Sequence, residues 1–249
     1  MVRVFFCEER MANTGRIVGV LGGMGPEATV DFMAKVIELT PADTDQDHVH
    51  MLVDQNPHVP NRQAAILDNG QDPGPELARM AARLQAAGAE FLVMPCNTAH
   101  VFQPYIVDAT NIPLVSIIDV SIAAVRERAP VAKSIGILAT DGCIKAEIIQ
   151  DALTAAGLKP VVPGDTELAT VMQLVGRIKA GDQGDDVTVS MRQLADALVG
   201  RGAEAIIAGC TEIPLILHDD DVRVPLISST DVLAAQTVAL ARGDISLPG

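Results

Sequence analysis

Short apolar, β-branched runs alternate along the chain with longer stretches in which apolar positions recur every three or four residues. Runs near 17–21, 49–54, 91–95 and 112–117, and again near 134–138, 159–162, 205–208 and 224–227, have the length and composition of buried strands. The stretches between them carry amphipathic helix spacing, and such alternation builds a parallel sheet covered by helices. Punctuation agrees with this reading. Pro26 stands at a first helical turn, while Gly88, Gly157 and Gly181 follow "AA", "AA" and "IKA" endings, where a left-handed C-terminal cap is wanted. The expected class is α/β.

The eight strands divide into two sets of four that resemble each other. "IVGVLGGMGPEAT" from Ile17 parallels "SIGILATDGCIKAE" from Ser134, each reading as strand, tight turn and helix start. "CNTAH" followed by "NIPLVSIIDV" parallels "CTEIP" followed by "RVPLISSTDV", and nearly equal stretches separate Gly19 from Cys96 and Gly136 from Cys210. A duplication of this kind predicts two pseudo-symmetric lobes, each a four-stranded mainly parallel sheet flanked by helices, with the active site in the cleft between them. The N-terminal lobe is expected over 15–112 together with 229–249, the C-terminal lobe over 113–228, and residues 1–14 as a flexible extension.

Cys96, in "VMPCNTAH", and Cys210, in "IIAGCTEIP", thus hold one station in a repeated unit, just past the carboxyl end of a strand, where open α/β sheets bind ligands. Taken singly, either reads as a small buried apolar residue. Taken together, they place two thiols on opposite sides of one cleft. Inverting a carbon stereocentre requires a base on one face and an acid on the other, and thiols titrate close enough to working pH to serve as both. A helix beginning at Asn97 or Thr211 is expected to stabilise the thiolate through its N-terminal amides. The chain has four cysteines, with no Cys-x-x-Cys and no zinc-like Cys/His spacing, so reduced thiols are the default. Cys7 falls in the extension and reads as inert.

From about Arg16 onward, "GGMGPEAT", "CNTAH" and "GCTEIP" resemble the cofactor-independent aspartate/glutamate racemase family. The resemblance implies a two-base amino-acid racemase with Cys96 and Cys210 as its acid/base pair. It implies neither pyridoxal phosphate nor metal, a dicarboxylic amino acid as substrate, and a homodimer. It also puts a substrate-binding arginine on Arg62 and a carboxylate-binding lysine on Lys179, which on its own reads as a solvated last-turn residue. Asn97, Thr98 and Thr211 read as donors to the α-carboxylate or as helix N-caps, and Met24 is grouped with the substrate-binding residues. His100, one turn beyond Cys96, reads as structural. The chain departs from many relatives at Asn61-Arg62-Gln63, where they carry Asp-Arg-Thr, and at Cys143, a third thiol beside the cleft where they carry Thr.

Charge narrows the partners. Eighteen Lys and Arg against 32 Asp and Glu, net -14, repel phosphate backbones and anionic membranes, so neither nucleic acid nor membrane is expected. No apolar run reaches the roughly 18–20 residues of a membrane span, and the start lacks the form of a signal peptide, so the expected location is the cytosol. Three rivals remain. "GGMGPEA" with Asp54 loosely fits a dinucleotide loop, although Pro26 removes one of the amides that would cradle phosphate. A superfamily decarboxylase or cis-trans isomerase would use one thiol, and a binding module would use neither.

Overall fold

Every apolar run becomes a strand. The computed structural model describes residues 15–248, so Cys7 and the expected extension lie outside the described residues. β1 (Val18–Gly22), β2 (Met51–Gln55), β3 (Phe91–Val93) and β4 (Leu114–Val115) form one sheet in the order β2-β1-β3-β4. β5 (Ser134–Leu138), β6 (Lys159–Val161), β7 (Ala205–Ala208) and β8 (Leu226–Ser228) form a second in the order β6-β5-β7-β8. Every pairing in both sheets is parallel. The two orders are the same permutation, which establishes the repeat at the level of topology. β4 completes the first sheet, so that sheet extends past residue 112, where the sequence placed the lobe boundary; Leu114 and Val115 pair with Leu92 and Val93 of β3.

The glycines show how closely the duplication is kept. A Cβ added at Gly19 would lie 2.7 Å from Leu92 and 2.9 Å from Ala89, next to Leu84. A Cβ at Gly136 would lie 3.0 Å from Ile206 and 3.1 Å from Ala203, next to Leu198. In both lobes the first strand lets a helix approach at the same point, because a missing side chain leaves the room.

Helices cover both sheets. α1 (Pro26–Leu39), α5 (Ile117–Arg128), α7 (Ile148–Ala155) and α10 (Ser229–Arg242) share one apolar core that reaches both sheets, through Val20, Phe91 and Val93 on one side and Ile135, Ile137 and Ile207 on the other. α3 (Gly74–Ala86) and α4 (Gln103–Ala109) cover the outer face of the first sheet, and α8 (Asp165–Lys179) with α9 (Asp185–Gly200) covers that of the second. Two short helices, α2 (Arg62–Leu67) and α6 (Asp141–Lys145), face each other at the mouth between the lobes. The last helix, α10, packs on both α1 and α5. Pro26 begins α1, and Gly88, Gly157 and Gly181 all take positive φ after helix ends, as the cap signals required. No helix among the described residues is long and apolar enough to cross a membrane.

Candidate active site

A cleft of about 600 Å³ opens where the carboxyl ends of the two sheets meet, lined from one lobe by Met24, Arg62, Cys96, Asn97 and Thr98 and from the other by Lys179, Cys210 and Thr211. All eight residues picked from the sequence therefore line one space. Cys96 follows β3 and Cys210 follows β7, so the thiols enter from equivalent loops of different sheets. They are 7% and 6% exposed, enough to be reached from the cleft and little enough to keep bulk water away.

The two thiols differ in their surroundings. Cys210 Sγ donates to Glu212 Oε2 at 3.0 Å, and Lys179 Nζ lies 3.4 Å from Glu212 Oε1. Burial first, then the Glu212 carboxylate, push the Cys210 thiol well above its ordinary range, with the Lys179 charge opposing them. Burial pulls the Lys179 ammonium down, but Glu212 and the thiolate forms of Cys210 and Cys96 outweigh it and hold that group above the usual lysine value. Cys210 is therefore a protonated donor at rest, locked onto a carboxylate. No α-helix follows it: after Thr211 and Glu212 comes a single 3₁₀ turn, Ile213–Leu215. The expected helix N-terminus for that thiolate is absent, because the backbone leaves helical dihedrals at Ile216 (φ -135°, ψ -13°) after a single turn.

Glu212 was not singled out from the sequence. Its signal was a carboxylate inside the otherwise apolar run "AIIAGCTEIPLIL", at the station that Thr98 occupies in the other lobe. Glu212 is 3% exposed, and carboxylates that deeply buried are almost always paired. Thr140 was missed as well. It lines the cleft, and its hydroxyl lies 2.9 Å from that of Thr98, joining the lobes. Gln63 accepts the Gly142 N–H at 2.7 Å and links α2 to α6.

Asn97 stands at the N-cap position of the 3₁₀ turn Thr98–Phe102, but its side chain makes no capping hydrogen bond. Its Nδ2 donates to Ser229 Oγ at 2.9 Å, and its Oδ1 is buried without a partner. With one amide N–H given to Ser229, the buried atom of this cleft-lining side chain that has no hydrogen-bond partner is an acceptor, where the sequence had suggested a donor. Arg62 Nη1 donates to the carbonyls of Val59 and Pro60, both at 2.9 Å, which fixes the guanidinium against the proline-stiffened loop at the cleft wall. Cys143 does not line the cleft. It is fully buried in the shared core, and burial first and the Cys96 charge second raise its thiol to about 12, so it stays protonated.

His100 serves the backbone. The Ile117 N–H donates to Nε2 at 3.2 Å, which leaves the proton on Nδ1 to bond the Cys96 carbonyl at 2.9 Å. Burial, opposed by the Cys96 carbonyl bond and by Asp119, lowers its pKa to about 4. Its folded value is depressed below the roughly 6.5 of a free histidine, so its contribution to stability is complete above that pH and is lost as pH falls toward 4. Urea midpoints should drop between pH 6.5 and 4, and the drop should be visibly smaller in His100→Gln; equal drops would mean that His100 is not held neutral.

A family model described as Asp/Glu/Hydantoin racemase matches residues 21–237. The chain belongs to that family. It is a racemase, an isomerase by class. A broad-specificity amino-acid racemase, RacX of Bacillus subtilis strain 168, is 30% identical over 227 residues, spanning 90% of this chain and 97% of the relative. The Picrophilus torridus aspartate racemase superposes with a TM-score of 0.78 at 27% identity, covering 92% of this chain and 95% of that one. An aspartate racemase homologue from Pyrococcus horikoshii OT3 shares the fold with a TM-score of 0.74 at 24% identity, covering 91% and 99%.

The dinucleotide reading loses its two supports. Asp54, the suggested ribose partner, is paired with Arg83 at 2.7 Å. The Gly25 turn faces Glu212 Oε1, at 3.2 Å from where a Cβ would stand, and a carboxylate there repels phosphate. Among the described residues, no group of three His, Cys, Asp or Glu side chains is arranged to hold a metal ion.

Proposed function

We propose that this racemase inverts an amino acid, aspartate or glutamate first, by proton transfer at the α-carbon between Cys96 and Cys210. One observation carries the reading: two thiols from equivalent loops of opposite lobes line a single cleft. In one direction the Cys96 thiolate takes the α-proton from one face, leaving a carbanion, and the Cys210 thiol returns a proton to the other face. The products are the mirror-image amino acid, a Cys96 thiol and a Cys210 thiolate, so the next turnover runs in reverse or follows re-equilibration of the pair with water. Protons balance, and no redox partner is needed. The α-ammonium donates to Asn97 Oδ1. Thr98 and Thr140 share one hydrogen bond between two hydroxyls, which leaves one proton over for the α-carboxylate.

The cations supply the dicarboxylic preference. Arg62 presents its remaining guanidinium edge to the substrate side chain, and Lys179 adds a second charge at the cleft wall. A second reading has its own support: Glu212 already matches the charge of Lys179, and Met24, Val59, Met172 and Val175 line the cleft, an environment that also suits an uncharged side chain. An enantiomer-resolved screen of the twenty amino acids in D₂O, without added cofactor, decides. Exchange of the α-hydrogen and loss of optical rotation with aspartate or glutamate are expected. Fastest exchange with an uncharged amino acid would transfer the substrate assignment to the second reading, and no exchange with any of them would end the two-thiol proposal.

A further inference from the structure

Asn97 has half of its amide spent and half idle. Its Nδ2 donates to Ser229 Oγ at 2.9 Å, Ser229 Oγ donates to the Ala208 carbonyl at 2.8 Å, and Oδ1 has no hydrogen-bond partner. Asn97 is 2% exposed and Ser229 fully buried. A serine hydroxyl carries a single proton. Once that proton is committed to Ala208, the hydroxyl can only accept from its other side, so the amide must turn its NH₂ toward Ser229 and its oxygen away. A buried acceptor left idle is costly unless a donor arrives to meet it, and Asn97 lines the cleft.

We infer that Ser229, at the start of α10 and outside the cleft lining, is a positioning residue that sets which end of the Asn97 amide the substrate meets. The inference rests on the racemase reading above. The relay runs Ala208 to Ser229 to Asn97, from two residues before Cys210 to the residue after Cys96. One hydroxyl thus registers the two cysteine loops against each other while reserving an acceptor for the α-ammonium. Without it the amide has no fixed sense, and an NH₂ turned toward the ammonium offers donor against donor.

Binding tests this separately from catalysis. L-Aspartate and succinate, which lacks the ammonium, are titrated calorimetrically into the wild type, Ser229→Ala, Asn97→Ala and the double variant, with thermal unfolding followed for each. Ser229→Ala should weaken aspartate about tenfold, the usual worth of one buried hydrogen bond to a charged group. Succinate affinity should stay within about twofold, and Ser229→Ala should add nothing in the Asn97→Ala background. Ser229→Cys, a poorer acceptor of similar shape, should show the same selective loss to a smaller degree, and stands in if Ser229→Ala does not fold. Equal losses for the two ligands, or an undiminished loss without Asn97, would show a merely structural serine and overturn the inference. A wild type that separates aspartate from succinate but exchanges no α-hydrogen in D₂O would end the racemase reading while leaving this one standing. A wild type that exchanges, with a Ser229→Ala variant that still separates the ligands, would do the reverse.

Discussion

Alanine at either Cys96 or Cys210 is expected to slow racemisation ~10²–10⁴-fold, the range for a lost general acid or base, and to leave the two variants with opposite residual activities. Each surviving thiol still faces one side of the α-carbon. In D₂O, therefore, Cys96→Ala should exchange the α-hydrogen of one enantiomer without inverting it, and Cys210→Ala should exchange that of the other. Chiral chromatography coupled to mass spectrometry reads both quantities at once. Loss of packing alone would slow both enantiomers together, because a loosened cleft does not know its left from its right. Full racemisation in either variant would reject the acid/base assignment. Both thiols sit at the cleft wall with slight exposure, and removing a single sulphur from such a site disturbs packing far less than truncating a large core side chain.

The second large effect concerns Glu212. A thiolate/thiol pair is active when it holds one proton, so kcat/KM follows a bell whose alkaline limb marks loss of the last proton from the pair. Enantiomers have equal energy, so kcat/KM is the same in both directions at every pH, and one profile serves for both. Burial first and the Glu212 carboxylate second raise the Cys210 thiol well above its ordinary range. Glu212→Gln removes the second cause, so the alkaline limb should move to lower pH. Turnover at the optimum should also fall ~10²-fold, the low end for an acid/base group, because the carboxylate 3.0 Å from the sulphur no longer receives and orients the S–H. Glu212→Asp keeps the charge but shortens the reach, so it should lose turnover with a smaller movement of the limb. An alkaline limb that stays in place in Glu212→Gln would show that Glu212 does not govern the Cys210 proton.

The comparison of the two cysteine loops shows how far residue patterns reach. "CNTAH" and "GCTEIP" look alike on paper, and their alignment across the repeat found both catalytic candidates. Their environments then diverge. Asn97 follows one thiol and bonds Ser229, 132 positions away in sequence; Glu212 lies near the other and is charge-matched to Lys179 from α8. Nothing local distinguishes an asparagine that caps a helix from one whose amide is claimed by a distant serine. The expected thiolate-stabilising helix after Cys210 failed for a similar reason. Pattern recognised a strand end, but the chain that follows makes only two short 3₁₀ turns, Ile213–Leu215 and Asp219–Asp221, and no α-helix before β8.

By itself the sequence determined the fold class, the eight strands, the duplication, the stations of both thiols and the eight residues that meet in the cleft. The strands, the duplication and the thiol stations are periodic or repeated, and period and repetition survive in one dimension because apolar residues must fall on the buried side of each element; Arg62 and Lys179 came instead from the resemblance to the racemase family. Only the tertiary structure decided that the Cys210 thiol donates to Glu212, that Cys143 is sealed away, that His100 is a neutral backbone brace and that Asn97 bonds Ser229. Protonation and hydrogen-bond direction depend on burial and on partners within a few ångströms, and neighbours at that distance come from chain segments whose separation in sequence carries no trace of the encounter.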